Sequence, residues 1–230
     1  MAWDEFRFAV SPDGGDVSAL HVQAPHEIAT LVFGHGAGAD MRHANMASIT
    51  QAFAREGISS VRFNFPFKEA GKSRVDGKPV STATIAAALR AARDRCPGPY
   101  FLGGHSFGGR MATHAVIDHG LNVTGMIFGS FPLHPAGKPS TTRADHLDML
   151  TCPMLFLSGS RDSLAQAALM EQVVDRLGPR ARLHWLDTAD HGYKVLKRSR
   201  TRCDDVFTEM AGYAGAFVRA VVGNREIRTP

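Results

Sequence analysis

Three residues of the types used in nucleophilic catalysis each follow a short apolar run of this 230-residue chain. Ser106 lies in Gly104-His-Ser-Phe-Gly108, which has the G-x-S-x-G pattern of a tight turn between a strand and a helix. Asp162 and His191 come after two later apolar runs. A serine hydroxyl is a weak nucleophile that needs a base, and the base needs an acid to orient it. The order and spacing therefore predict catalysis by Ser106, His191 and Asp162.

Other acids and bases compete for two of these roles. Asp190 is adjacent to His191 and poorly placed to reach its ring, and Asp187 is expected to end a strand in solvent. Asp162 itself has an alternative role, which is to cap the helix that follows it. The other histidines considered as bases are His35, His105 and His114. We expect His105 to point away from the serine and His114 to lie too far along its helix.

The segment Gly34-His-Gly-Ala-Gly-Ala39 admits two interpretations. It matches the dinucleotide pattern G-x-G-x-x-G/A, but the next strand ends at Asn64 without the acid that would bind a ribose. That pattern is the sole basis for interpreting the whole protein as an NAD(P)-binding oxidoreductase. In a hydrolase, the same glycines would let a backbone N–H approach a substrate oxyanion. We predict Ala37, with Gly36 as its alternative, and Phe107 as the two donors.

Apolar runs and amphipathic stretches alternate along the chain. The predicted strands are Phe6–Val10, Val17–Gln23, Thr30–Phe33, Ser59–Phe63, Tyr100–Gly103, Val123–Phe128, Met154–Leu157 and Arg182–Leu186. The predicted helices are His43–Arg55, Thr82–Arg95, Phe107–Asp118, Ser163–Leu177 and Asp204–Val222. The first two strands have no room for a helix between them, so they form an antiparallel hairpin. The remainder predicts an α/β fold, a mostly parallel eight-stranded sheet with helices on both faces.

Composition bounds the class of protein. With 44% hydrophobic residues and no domain linker, the chain is expected to form a single domain over 1–222, followed by a flexible tail at 223–230. Three cysteines without paired spacing predict neither a disulfide scaffold nor a metal site, and no cofactor is expected. The chain shows no apolar leader or membrane span, which predicts a cytoplasmic protein. The oligomeric state is left open.

The net charge of +4 is concentrated in a basic segment, Lys194–Arg202. Such a run could contact nucleic acid or another polyanion. Because the run has no interleaved aromatic residues beyond the adjacent Tyr193, the pattern favours a solvated loop over a nucleic-acid surface.

Together these motifs resemble the α/β-hydrolase superfamily over nearly the whole chain. Arg62-Phe-Asn-Phe-Pro-Phe67, Gly104-His-Ser-Phe-Gly-Gly-Arg-Met111 and Asp190-His-Gly-Tyr-Lys194 are similar to a smaller branch of it. That branch is the dienelactone-hydrolase-like group, which includes subunit-like proteins of a chromatin acetyltransferase complex. The resemblance implies a serine hydrolase acting on a small-molecule ester or thioester. Because some members of the branch are interaction proteins, a hydrolase-fold interaction module is the second interpretation.

The resemblance also bears on the substrate pocket. Many members of the superfamily carry a lid after the sixth strand, but the segment between Phe128 and Thr151 is too short for a lid domain. An open site that accepts small or exposed acyl groups is therefore expected. The predicted aromatic pocket wall consists of Phe65, Phe67, Phe107, Phe131 and Tyr193.

Overall fold

A computed structural model describes residues 3–11, 15–202 and 204–226. Its strands are β1 Trp3–Ala9, β2 Asp16–Val22, β3 Ala29–Gly34, β4 Ile58–Phe63, β5 Tyr100–His105, β6 Gly125–Gly129, β7 Met154–Gly159 and β8 Ala181–Leu186. They form one sheet in the order β1-β2-β4-β3-β5-β6-β7-β8. β2 is antiparallel to both β1 and β4, and the other pairs are parallel. The predicted strands and the N-terminal antiparallel pair are confirmed, while part of its predicted turn, residues 12–14, lies outside the described residues.

Helices cover both faces of the sheet. They are α1 Ala44–Arg55, α2 Pro66–Glu69, α3 Lys78–Arg95, α4 Phe107–His119, α5 Ala167–Leu177 and α6 Val206–Glu226. α1 and α6 pack on one apolar cluster, and α3, α4 and α5 pack on the other. β3, β4, β6 and β7 are buried along their whole length because both faces of the central sheet are covered.

Three helices differ from their predicted bounds by more than one residue. α3 begins at Lys78, four residues before the predicted start at Thr82, because Pro79 is accommodated in the first turn, where its missing N–H is not needed. α5 begins at Ala167 instead of Ser163. α6 continues through Glu226, past the predicted domain end at 222, and residues 227–230 of the predicted tail lie outside the described residues.

The two long connections of the sheet, after β4 and after β6, contain only short helices. The segment after β4 contains α2, and the segment after β6 contains a 3₁₀ helix, Thr142–Met149. The connection between β6 and β7 therefore has no lid domain, as the sequence predicts. No helix in the described part of the chain is long and apolar enough to span a membrane. The loops after β3, β5, β7 and β8 meet at the carboxyl edge of the parallel strands, where open α/β sheets bind ligands.

Candidate active site

Ser106 occupies a sharp turn between β5 and α4. Its φ of 51° lies in the left-handed region that side chains other than glycine rarely adopt. The turn passes so close to the end of β3 that a Cβ on Gly108 would lie 2.2 Å from the carbonyl oxygen of Gly34. Glycine is therefore required here by the neighbouring strand as well as by the turn itself. The result is a serine hydroxyl held at the carboxyl edge of the sheet.

A continuous hydrogen-bond chain joins the three residues predicted to act together. The Ser106 hydroxyl donates to His191 Nε2 at 2.8 Å, and His191 Nδ1 donates to Asp162 Oδ2 at 2.8 Å. The Asp162 side chain is completely buried, and its Oδ1 accepts the backbone N–H of Leu164 at 2.8 Å. Both carboxylate oxygens are therefore engaged, which fixes the carboxylate against the imidazole. The three residues follow three different strands, β5, β7 and β8.

The competing acids have other partners. Asp190 Oδ1 accepts the backbone N–H groups of Gly192 and Lys194 at 2.9 Å each, so it closes its own loop. Asp187 Oδ2 accepts the backbone N–H of Thr201. The alternative role of Asp162 as a helix cap is not observed, because Gln166 occupies the N-cap position of α5. The arrangement thus brings one of the three candidate acids onto the His191 ring.

The loop that carries His191 is tied to its surroundings at several points. His105 Nε2 donates to the carbonyl oxygen of His191 at 3.0 Å, and its ring packs against the His191 ring. Asn45 Nδ2 donates to the carbonyl oxygen of Gly192 at 2.8 Å. Burial lowers the pKa of His105 to about 4, so this histidine is a neutral donor at neutral pH. His105 therefore supports the His191 backbone and does not compete with it as a base.

His35 has a similar supporting position under the glycine-rich loop. Its Nδ1 donates to the carbonyl oxygen of Gly36 at 2.8 Å, and its Nε2 accepts the backbone N–H of Phe65 at 3.2 Å. The side chain is completely buried, and this burial lowers its pKa to about 4. In a trans peptide the N–H points away from the preceding C=O, so fixing the Gly36 carbonyl also fixes the direction of the Ala37 N–H. The sequence indicates His35 only as a possible base, because this contact depends on the path of the loop after β3.

Phe107 is the first residue of α4 and follows Ser106 directly. The N–H groups in the first turn of a helix have no acceptor within the helix, and the helix dipole makes this end electropositive. The Ser106 side chain does not cap these groups. The Phe107 N–H therefore remains available beside the serine hydroxyl.

These groups open on one cavity of about 430 Å³. Its wall consists of Gly36, Ala37, Gly38, Ala39, His43, Asn45, Met46, His105, Ser106, Leu164, His191 and Gly192. The cavity contains the glycine-rich loop, which places that loop beside Ser106. No sequence pattern identifies His43, Asn45, Met46 and Leu164 as wall residues, because their position depends on the path of the loops after β3 and β7. The only sequence signal for the first three is that they directly follow the glycine-rich segment.

The predicted aromatic pocket wall requires correction. Phe65, Phe67 and Phe131 are at most 1% exposed and belong to the core, and Tyr193 is also buried. The Phe65 and Phe67 rings pack edge-on against His35, with centroids 5.0 and 5.7 Å away. Tyr193 packs against His105, at 5.3 Å. Large aromatic rings here stabilise the residues behind the cavity, because burying them contributes more than lining an open surface.

Phe131 packs elsewhere, against Phe128 and Phe156, with ring centroids 5.3 and 5.7 Å away. His114 is likewise remote from the proposed chemistry and stacks on His146 at 3.8 Å. Within the described ranges, no three His, Cys, Asp or Glu side chains are grouped so that they could hold a metal ion.

Part of the basic segment Lys194–Arg202 is folded against the protein. The Arg200 guanidinium pairs with the buried carboxylate of Glu209 on α6 and also donates to the carbonyl oxygen of Asp187. His184 Nε2 contacts the same carboxylate at 2.6 Å. This end of the segment therefore anchors the loop that carries His191.

Comparisons with known proteins agree with this architecture. A sequence profile of the family described as alpha/beta hydrolase domain matches residues 27–219. The esterase domain of a Rhodothermus marinus protein is similar in structure, with a TM-score of 0.73 and 17% identity over 97% of this chain and 100% of the other. An α/β serine hydrolase without a lid from Xanthomonas campestris has a TM-score of 0.67 and 16% identity, covering 99% and 97%. Dienelactone hydrolase from Anabaena variabilis has a TM-score of 0.70 and 17% identity, covering 95% and 98%. At such identities, the structural likeness concerns the fold.

Proposed function

Because this chain belongs to the alpha/beta hydrolase family, we propose that it is a serine hydrolase that cleaves carboxylic esters or thioesters. The observation that carries this proposal is the hydrogen-bond chain from Asp162 through His191 to Ser106, with both distances at 2.8 Å, at the edge of a cavity. A hydroxyl, an imidazole and a buried carboxylate in this order form a nucleophile, a base and an orienting group.

In the first half of the reaction, Ser106 Oγ attacks the carbonyl carbon while His191 Nε2 accepts the hydroxyl proton. Asp162 remains ionised, holds the tautomer with hydrogen on Nδ1 and stabilises the imidazolium that forms. The developing oxyanion accepts hydrogen bonds from the Ala37 and Phe107 backbone N–H groups. His191 then gives its proton to the leaving alkoxide or thiolate, which leaves an acyl group on Ser106 Oγ.

In the second half, His191 Nε2 takes a proton from a water molecule that attacks the acyl carbonyl. The same two N–H groups stabilise the second oxyanion, and collapse returns the proton to Ser106 Oγ as the carboxylic acid leaves. The acid, alcohol or thiol, and free enzyme are the products. His191 carries the proton in each transfer of this scheme, and the two backbone N–H groups donate hydrogen bonds without losing their protons.

The cavity favours a small acyl group. Met46 and Leu164 are the larger apolar side chains in its wall, while much of the remainder is glycine and alanine. Because no lid domain follows β6, a long acyl chain would remain largely in water and would gain little from burial. Hydrolysis rates for p-nitrophenyl esters are therefore expected to be highest for short chains and to decline as the chain lengthens.

A fluorophosphonate probe tests the proposal directly. It should label the wild-type protein, and Ser106→Ala should remove the labelling and lower kcat/KM for p-nitrophenyl acetate by roughly 10⁴-fold or more. The Tm should stay unchanged, because alanine removes only the hydroxyl. Failure to label the wild type, or equal labelling of the variant, would reject the function. In that case, a stoichiometric complex in pull-down experiments would support the interaction module instead.

A further inference from the structure

A second cavity of about 510 Å³ lies on the side of the sheet near α1, away from Ser106. We call it the Arg62 cavity, and its main lining residues are Trp3, Leu20, Val22, Arg42, Ala47 and Arg62. Strand register places these groups together, because Leu20 of β2 pairs with Arg62 of β4 and Val22 pairs with Trp3 of β1. Alternate residues of a strand share a face, so the apolar and cationic side chains point to the same side.

The guanidinium of Arg62 is buried without a carboxylate partner. The residue is 4% exposed, and one of its terminal nitrogens donates to the carbonyl oxygen of Met41 at 2.8 Å. Its Nε has no hydrogen-bond partner, and no carboxylate of the described residues lies within 4.0 Å of it. A buried charge is costly unless it is paired. The environment therefore favours an anion at this position.

Neighbouring charges do not remove that preference. Arg42 lies at the same cavity and is paired with exposed Glu5 at 2.5 Å. Burial is the largest cause that lowers the pKa of Arg62 to about 10, and the positive charge of Arg42 lowers it further. Asp40 acts in the opposite direction from beyond ion-pair distance. Arg62 is still charged at neutral pH, so an incoming anion would meet an unneutralised guanidinium.

Apart from Arg42 and Gln51, the rest of the cavity wall is apolar. Leu20 and Val22 belong to a small apolar cluster that is separate from the two main ones, and Trp3 is 64% exposed at the cavity. Ligand sites commonly enclose about 300–1,000 Å³ with apolar walls and a few polar groups. This cavity has such a volume, a hydrocarbon surface and one buried cation. That combination matches a molecule with an apolar body and a single negative end.

We propose that the Arg62 cavity binds a small amphipathic carboxylate. Its carboxylate pairs with the Arg62 guanidinium, whose planar donors match two carboxylate oxygens. Its hydrocarbon body covers Leu20 and Val22 and is covered in turn by the indole of Trp3. The site uses none of the residues assigned to ester hydrolysis, so it stands or falls independently of the proposed function.

Tryptophan fluorescence can test this binding site. The chain has two tryptophans, so Trp185→Phe leaves Trp3 as the only indole, and it lies at the proposed site. Combining this change with Ser106→Ala removes the proposed nucleophile from the measurement. Titration with octanoate should give a saturable change in Trp3 emission. The alcohol 1-octanol has the same chain without the charge, and in the same titration it should bind at least about tenfold more weakly.

Two further variants assign the response to the cavity. Arg62→Met should weaken octanoate binding at least about tenfold while leaving the 1-octanol response unchanged. Ala47→Phe fills the cavity from α1 and keeps Arg62, so it should weaken the binding of both ligands. This variant also keeps the proposal testable if Arg62→Met does not fold. Equal affinity for the acid and the alcohol, no saturable response to octanoate, or unchanged octanoate affinity in Ala47→Phe would each overturn the proposal.

Discussion

The Ser106 site and the Arg62 cavity both depend on buried polar side chains, but they differ in how those side chains are paired. At the Ser106 site, both oxygens of Asp162 and both ring nitrogens of His191 have hydrogen-bond partners within the protein. In the Arg62 cavity, the guanidinium Nε has no partner among the described residues. The Ser106, His191 and Asp162 side chains form a complete set, whereas the Arg62 cavity contains an unused donor.

This difference separates two uses of buried polarity. Partnered groups cannot turn, so the first region holds a hydroxyl, an imidazole and a carboxylate in a fixed geometry that suits proton transfer. An unpartnered buried polar group costs about 1–3 kcal/mol, more for a charged one, and a ligand that provides the missing partner recovers that energy. The first arrangement suits chemistry and the second suits binding. The experiments below test the contrast by removing partners from the complete region.

The largest effect is expected from Asp162→Asn. The amide would donate its N–H to His191 Nδ1 and favour the tautomer with hydrogen on Nε2, which cannot accept the proton of Ser106. We expect kcat/KM for p-nitrophenyl acetate to fall by roughly 10⁴-fold with the fold retained. Steady-state kinetics and circular dichroism provide the measurements.

Asp190→Asn is the matched control for that substitution. Asp190 is adjacent to His191, but its Oδ1 accepts backbone N–H groups, which an asparagine oxygen also does. Activity should stay within about fivefold of the wild type, which is small beside the loss expected from tautomer reversal. Comparable losses in the two variants would mean that the acid has been assigned incorrectly.

A smaller effect is expected at His35, which positions the Gly36 carbonyl. Glutamine places its amide near the Nε2 position and cannot replace the Nδ1 donor, so His35→Gln should lower kcat about 10²-fold with little change in KM. Asparagine places its amide near Nδ1, and His35→Asn should recover about tenfold of that loss. The pH profile of kcat/KM should keep its midpoint in both, because His35 does not exchange protons with substrate. Identical kinetics for the two variants would reject the positioning role.

The smallest effect is a change in acid stability. Burial, the largest cause at each site, lowers the pKa of His35, His105, His114 and His146 to about 4, against 6.5 for an ordinary histidine. Between these values the unfolded chain binds more protons than the folded one. The free energy of unfolding should therefore be independent of these groups above pH 6.5 and decline as pH falls from 6.5 to 4. Against the effect of burial, hydrogen bonds from Ser18, Asn64 and Arg7 lower the pKa of Glu69 to about 2, so this carboxylate adds to the decline only near and below pH 4.5. The decline between pH 6.5 and about pH 5 therefore reports on the imidazoles.

Thermal melts between pH 4 and pH 7.5 measure that decline. His114→Phe keeps an aromatic ring stacked on His146 and removes one titrating group, so its Tm should fall less steeply with acid. Parallel curves for the variant and the wild type would show that this histidine does not contribute. A Tm that rises on acidification would contradict the prediction that the unfolded chain binds more protons than the folded one.

Much of the fold was predictable because the strands are short, contiguous apolar runs. A central strand such as Met154–Gly159 is buried on both faces and leaves an unambiguous pattern. The start of α3 was missed because its first turn contains Pro79 and polar residues, which carry no helical apolar periodicity. Helix ends depend on local backbone geometry more than on burial, so sequence patterns locate them poorly.

The candidate site likewise contains some residues that the sequence pattern identifies and others that it does not. Ser106, Asp162 and His191 were identified because each follows a recognisable strand, and strand ends converge at one edge of a parallel sheet. The cavity wall was not identified, because residue size indicates burial without indicating what a side chain faces. Arg62 was invisible as a candidate for binding, since its juxtaposition with Leu20 requires the pairing of β2 with β4, two strands that are not consecutive in the chain.

The positive φ of Ser106 has a consequence for engineering the protein. Ser130, Thr188 and Tyr193 also have positive φ values, of 48°, 58° and 66°, and they lie on the loops after β6 and β8 that border the same site. Glycine would relieve the conformational cost at each of these positions. Thermostability gained there would come at the expense of the residues that hold the nucleophile and the base. Stabilising substitutions are better sought on the opposite edge of the sheet, where stability and activity are not in competition.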